Sequence, residues 1–295
     1  MHTHTTLSDG NSTPEQTILW YASHGYQFLA LTDHNQLSHP ARYAALQEPG
    51  FVLIPGEEIT MTGNGRQVHV NALCTNGRIP GGAFATTSAA LSTAIGKIAA
   101  QGGVAIVNHP NFDWGLSAQD VIDARDAPLL EIASGHPYVY SSGDATHRSH
   151  EQLWDVALSA GAQYMGVAVD DVHRIDGSGN PQALPGQGWV QAFSDRADAI
   201  SICAALGRGD LYSSTGVELS RVAVTRDEYI VVPQLSDVTV SYVGASGREL
   251  ARVAFRAPMS SARYKLKGDE GYVRARVDAT AGQHAWTPAV RVDND

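Results

Sequence analysis

From residue 13 to about residue 195 the chain alternates helix signals with short apolar runs, and this alternation limits its fold more than any other feature. Thr13-Pro14-Glu15-Gln16 supplies an N-cap, a proline at the first helical position and a capping-box partner. A helix should run from there to about His24-Gly25. Mostly apolar runs follow at 26–31, 51–54, 68–73, 104–107, 129–132 and 164–169, each short enough for a buried strand. Between them the spacing predicts helices near 40–47, 88–101, 117–125 and 147–160. Strands and helices alternating at this spacing build βα units around a parallel sheet or barrel. After about Gly216 the pattern changes, with short β runs at 222–224, 229–232, 238–242, 250–255 and 272–277 and no helix signal between them. These predict a small antiparallel β-sandwich, and hence two domains, 1–216 and 217–295.

A chain of 295 residues with 43% hydrophobic content can bury cores of that size. No apolar run approaches the ~20 residues needed to span a bilayer, and Met1-His2-Thr3-His4 lacks a signal-peptide pattern. The reading is a soluble protein of unassigned compartment. The candidate chemistry begins at residue 2, so a natural N-terminus lying further upstream stays open. The net charge of −10 opposes stable binding to nucleic acid or to an anionic membrane. A small phosphorylated substrate is still admitted, because bound cations would reverse the local field. Nothing in the sequence speaks to oligomeric state. Cys74 and Cys203 are too few for a disulfide framework or a cysteine-rich zinc site, and they read as two buried thiols.

Where the histidines and carboxylates fall matters more than the count of 12 histidines. Asp33-His34, Glu57-Glu58, Asn108-His109 and Asp171-Val172-His173 each follow a predicted strand, where a βα barrel gathers its active-site loops. His69 lies within the 68–73 strand. In His2-Thr3-His4 residues i and i+2 of an extended chain face the same side, and Asp171-Val172-His173 would repeat that geometry. Asp9 follows in a Ser8-Asp9-Gly10 turn. Taken singly, each has a plainer account: a core histidine for His69, a strand end for His109, a turn former for Asp9, a helix cap for Asp33. Their convergence points to a metal cluster. Mixed imidazole and carboxylate ligands suit zinc, manganese or iron without separating them.

These motifs, in this order, resemble the PHP (polymerase and histidinol phosphatase) superfamily. The matching stretches are His2-Thr3-His4 with Ser8-Asp9-Gly10, Leu31-Thr32-Asp33-His34, Pro55-Gly56-Glu57-Glu58-Ile59, Val68-His69-Val70, Asn108-His109-Pro110 and Asp171-Val172-His173. The resemblance implies an α/β fold, a distorted (β/α)7 PHP barrel, carrying two or three divalent metal ions and hydrolysing phosphate esters. It implies one ion on His2, His4, Glu58 and Asp171, and a second sharing Glu58 with His69 and His109. A third would lie on Asp9, His34 and His173. The family motif favours Glu58 over Glu57. More loosely, Tyr212-Ser213-Ser214-Thr215-Gly216 and Ala285-Trp286-Thr287-Pro288 look like the group with a C-terminal β domain named for carbaryl-hydrolysing enzymes.

Divalent ions bring the pKa of bound water towards neutrality, so a hydroxide bridging two of them is the expected nucleophile. The sequence accordingly has no Gly-x-Ser-x-Gly elbow and no P-loop. His136 follows the 129–132 strand and is the candidate general acid, while Asp33 is a candidate for orienting His34 or relaying a proton. Glu131 reads as structural, and Arg148 and Arg174 are candidate phosphate grips. The expected activity is a phosphatase or phosphodiesterase on a small molecule. A metallohydrolase of a carboxyl ester, amide or carbamate comes second, and a metal-stabilised binding protein third.

Overall fold

The computed structural model describes residues 1–46, 49–178 and 184–292. The capping box at Thr13 and Gln16 opens α1 (Pro14–Ser23) as its sequence predicts. Eight strands and three more helices follow: β1 (Phe28–Leu29), β2 (Val52–Leu53), β3 (Gly56–Gly63), β4 (Arg66–Leu73), β5 (Ala83–Phe84), α2 (Thr87–Ala100), β6 (Val104–Val107), α3 (Ala118–Asp123), β7 (Leu129–Ser134), α4 (His150–Ser159) and β8 (Met165–Val169). The helix expected at 40–47 is a 3₁₀ segment, Pro40–Leu46, and Gln47 lies outside the described residues.

Six of these strands form one mixed sheet in the order β5-β3-β4-β6-β7-β8. Its β6-β7-β8 half is parallel, as expected, but β4 runs antiparallel to both β3 and β6. The antiparallel β3 was not foreseen, because Gly56 and two adjacent glutamates interrupt its apolar pattern. β1 and β2 form a separate parallel pair of two residues each, shorter than the runs at 26–31 and 51–54. Beyond the strands, Thr3 bridges Val172 and His34 bridges Glu58, both in parallel. Main-chain bonds from Thr32 to the Thr3 carbonyl (2.9 Å) and from Ile54 to the Leu29 carbonyl (3.0 Å) lie between them. The sheet's two margins are thus linked through residues 2–4 and 28–34. An apolar core of β4, β6, β7, β8 and the inner faces of α2 and α4 underlies it.

After β8 come β9 (Trp189–Ala192), α5 (Ala199–Arg208) and β10 (Leu211–Ser214). The remaining strands are β11 (Leu219–Val224), β12 (Glu228–Pro233), β13 (Val238–Gly244), β14 (Arg248–Phe255), β15 (Ala262–Lys265), β16 (Gly271–Ala279), β17 (His284–Trp286) and β18 (Val290–Val292). All five expected β runs are present. They form two antiparallel sheets: a larger one in the order β14-β13-β16-β17-β10-β9, with β18 on β16, and a smaller β11-β12-β15 sheet. β9 and β10 precede Gly216 yet belong to the larger sheet, so its pairing runs across that point of the chain. Among the described residues no helix is long and apolar enough to cross a membrane.

Two further contacts secure this C-terminal region to the rest. Cys74, just past β4, and Cys203, on α5, form a disulfide with Cα atoms 6.1 Å apart, which corrects the reading of two thiols. Burial habits describe single cysteines and say nothing about which of them meet. On β16, Arg274 is 1% exposed and donates to both carboxylate oxygens of Asp155 on α4 (2.8 Å each). It also meets Glu151 at 2.8 Å and lies over the Trp154 ring. Removing one partner of a buried ion pair leaves an uncompensated charge. Asp155→Ala should therefore cost about 3–5 kcal/mol in a chemical denaturation series. A loss under about 1 kcal/mol would show that Glu151, still 2.8 Å away, satisfies Arg274 without Asp155.

Candidate metal centre

The site is built from the β3/β4 register outward. Glu58 pairs with Asn71 and Thr60 with His69, so these four side chains share one face. Glu57, one residue earlier, faces the other way, and its carboxylate accepts the Ile79 amide at 2.6 Å. Across β4 and β6 the Asn108 side chain donates to Glu58 Oε1 (2.7 Å) and to Asn71 Oδ1 (3.0 Å), which fixes the carboxylate.

Five imidazoles surround Glu58. His69 Nδ1 (3.1 Å) and His109 Nε2 (3.3 Å) approach Oε1. His2 Nε2 and His4 Nε2 (3.3 Å each) and His34 Nδ1 (3.2 Å) approach Oε2. Oε2 itself is buried without a hydrogen-bond partner. His2 and His4 reach it because Thr3 is held between Val172 and Thr32, so the two flanking side chains point inward together, their Nε2 atoms 3.2 Å apart. Asp171 Oδ1 lies 3.3 and 3.4 Å from the same two nitrogens. Here the expected geometry fails: Asp171 has φ 50°, a left-handed conformation, so Asp171-Val172-His173 is not an extended i, i+2 pair. The two side chains serve different parts of the cluster. His173 stacks on His4 with ring centres 4.1 Å apart, and its Nε2 faces Asp9 Oδ2 at 3.4 Å. Asp9 also stands 3.6 Å from His34 Nε2 and 3.4 Å from His4 Nδ1.

All nine sequence-derived candidates, His2, His4, Asp9, His34, Glu58, His69, His109, Asp171 and His173, therefore meet. Their donor atoms fall into four groups compact enough for an ion, His2-His4-Glu58, His2-His109-Asp171, His34-Glu58-His69 and His4-Asp9-His34-His173. The charge balance fits cations as well. Burial alone would raise Glu58 and Asp171, yet the surrounding imidazoles hold both carboxyls well below their usual range. Burial likewise disfavours charged His4, but the adjacent Asp171 and Glu58 carboxylates push it up to about 9. Without a metal the acids keep protons on His2, His4 and His109, and an ion would take the protons' place.

Glu131, expected to be structural, is a support of this cluster. It is fully buried in β7, accepts from His2 Nδ1 (2.6 Å) and from the His109 amide (2.8 Å), and so turns the His2 Nε2 lone pair inward. A lone acid at the centre of Leu129-Leu130-Glu131-Ile132 was its only sequence signal. His136 is half-buried and caps the 3₁₀ turn Pro137–Val139, its Nδ1 accepting the Tyr138 amide at 3.3 Å. Its ring lies 5.1 Å from that of His173, and burial with nearby imidazoles lowers its pKa. Asp33 neither caps a helix nor bonds the His34 ring, whose Nδ1 meets Thr60 Oγ1 at 2.6 Å; its carboxylate accepts from Thr5 and Ser8 instead. Arg174 is exposed and donates to Ser178 (3.1 Å), and Arg148 is exposed with its carbonyl accepting from Asn111 (2.9 Å).

Two outcomes check this geometry. Glu58→Gln should lose at least one ion and roughly 10³-fold in turnover, whereas Glu57→Gln should keep its metals. Metal loss in the second variant alone would reverse the assignment. At pH 7 a His4 held near 9 is protonated in the metal-free protein, so loading must expel protons and affinity should rise with pH up to about 9. Metal titration in a weakly buffered solution reads the proton release directly, and none at pH 7 would contradict it.

No family model matches the chain. A stretch of 91 residues is 33% identical to the lacto-N-neotetraose biosynthesis glycosyltransferase LgtB of Neisseria gonorrhoeae, covering 31% of this chain and 32% of that protein. The match to LgtE of the same organism is 32% over 91 residues, so the chain spans about a third of the curated relatives it matches. Among solved structures, a two-domain protein from Bacteroides vulgatus containing a predicted PHP-like metal-dependent phosphoesterase aligns with TM-score 0.52 and 15% identity, over 98% of this chain and 93% of that one. A candidate metal-dependent phosphoesterase from Bifidobacterium adolescentis gives TM-score 0.47 at 15% identity, over 62% and 89%. An amidohydrolase from Chromobacterium violaceum gives 0.45 at 17%, over 59% and 87%. At these identities the likeness is one of fold: along nearly its whole length the chain is similar to a two-domain protein with a PHP-like domain.

Proposed function

We propose that the chain is a metal-dependent hydrolase of phosphate esters acting on a small molecule. The observation that carries this reading is Glu58 Oε2, a buried oxygen without a hydrogen-bond partner that faces three imidazole nitrogens within a ring of nine donors. Two or three ions, of zinc, manganese or iron, would be held by His2, His4, Glu58 and Asp171, by Glu58, His69 and His109, and by Asp9, His34 and His173. When bound, such ions supply Lewis acidity to phosphoryl oxygens and bring water towards deprotonation at neutral pH. Glu131 holds His2, and Asn108 holds Glu58, in the orientations that this requires. His136 keeps its Nδ1 lone pair on the Tyr138 amide, which leaves the Nε2 proton free to meet a leaving-group oxygen beside His173. The links between the sheet margins support a distorted (β/α)7 barrel as the N-terminal domain, followed from about residue 217 by a β-sandwich domain to whose larger sheet β9 and β10 also contribute. The net charge of −10 favours a small substrate over a polyanion.

Chelation should abolish hydrolysis, and Zn²⁺, Mn²⁺ or Fe²⁺ should restore it. A panel of phosphomonoesters, phosphodiesters and carboxyl esters reads the substrate class; turnover confined to carboxyl esters would overturn the phosphate assignment. His136→Ala should slow esters with poor leaving groups more than activated aryl esters. An equal loss on both would remove it as a proton donor.

A further inference from the structure

We infer that Asp33 is a positioning residue that sets the outer metal site by anchoring the turn that carries Asp9, an inference that rests on the metal reading above. Asp9 is the most exposed of the nine donors, its side chain 53% accessible. It stands on the six-residue turn Thr5-Thr6-Leu7-Ser8-Asp9-Gly10. A half-solvated carboxylate on a turn keeps its place only if the turn is held; main-chain bonds from Ser8 and Gly10 to the Thr5 carbonyl close this one, and three bonds to the Asp33 side chain dock it. That residue is fully buried. Its Oδ1 accepts the Thr5 amide (2.7 Å) and the Ser8 hydroxyl (2.8 Å), and its Oδ2 accepts the Thr5 hydroxyl (2.8 Å).

The turn is packed closely against the inner site. A Cβ on Gly10 would lie 2.6 Å from the His4 carbonyl carbon and oxygen, so the chain after Asp9 runs against the backbone of His4. Ser8 Oγ stands 3.4 Å from His4 Nδ1 and 3.2 Å from Asp9 Oδ1, next to two members of the outer group. Asp33 meanwhile accepts the Glu58 amide through its own carbonyl (3.2 Å) and precedes His34. One residue thus ties the turn bearing Asp9 to the strand segment bearing His34 and Glu58. Its side-chain bonds go to Thr5 and Ser8 and to none of the nine donors, so the carboxylate acts on an ion through the turn that carries Asp9.

The test is stepwise Zn²⁺ titration and metal analysis of the full chain, comparing Asp33→Asn, Asp9→Asn and their double variant, with melting curves alongside. An asparagine amide has one acceptor oxygen and an NH2 donor in place of the other, so Asp33→Asn should bind the inner ions normally and one ion about 10- to 100-fold more weakly. Asp9→Asn should weaken the same ion, and the double variant should be no worse than Asp9→Asn alone. Unchanged Zn²⁺ affinity with reduced turnover would overturn the inference in favour of a proton relay. Equal weakening of every ion in a folded Asp33→Asn would overturn it in favour of a general scaffold. Should that variant fail to fold, Thr5→Val/Ser8→Ala leaves the carboxylate but removes both hydroxyls. It carries the same expectation, and a normal titration there overturns the inference. Wild-type protein that binds no Zn²⁺ would instead sink the metal reading, and this inference with it.

Discussion

One carboxylate, Glu58, sits where five imidazoles meet, and the rest of the site is arranged around keeping it there. A buried carboxylate is costly unless positive charge and hydrogen bonds surround it. Asn108 supplies the hydrogen bond, and the imidazoles supply the charge whenever they carry protons. A cluster of this kind exchanges protons for metal ions without a large rearrangement, because either species neutralises the same acids. Glu131 has a quieter part: it holds one histidine by its ring and another by its backbone, and so couples the N-terminal segment to the loop after β6.

The surrounding architecture distributes these donors over separate segments. Residues 2–4 lie between the continuation of β8 and the segment after β1, so three distant stretches of chain meet beside Glu58. Asp170 does similar work from the neighbouring position. Its carboxylate accepts the Tyr21 hydroxyl and the amides of Gly186, Gln187 and Gly188, which fixes the chain on either side of Asp171. The left-handed backbone at Asp171 is held between that anchor and the bond from its own amide to the His2 carbonyl (3.0 Å).

The donors themselves were legible in the sequence because chemistry restricts them to few residue types, and strand ends gathered them in order. The parallel half of the sheet was legible for the same reason that 104–107 and 164–169 are unbroken apolar runs. What could not be read is what depends on pairing. β3 starts with a glycine and two acids, so its strand pattern is masked, and its register with β4 turns Glu58 inward and Glu57 outward, the choice that the family motif favours. α5 went unseen although Asp198 caps it, Gly209 closes it and residues 199–206 are apolar except for Ser201. The support given by Glu131 depends on residues 129 and 22 positions away, which no local pattern reports. Asp171 takes a backbone conformation that neither its neighbours nor its spacing betrays.

The bond between Cys74 and Cys203 spans 129 residues of sequence. That interval contains His109, Glu131, Asp171 and His173, while the remaining donors precede it. In a loop-entropy account, a cross-link acts mainly on the unfolded chain, and a closure this long removes on the order of 5 kcal/mol of its freedom. Even when the sheets have come apart, the chain keeps the later donors inside a closed loop whose one end lies five residues past His69. Part of the site's assembly is thereby written into the covalent connectivity of the polypeptide, and the remainder into its packing.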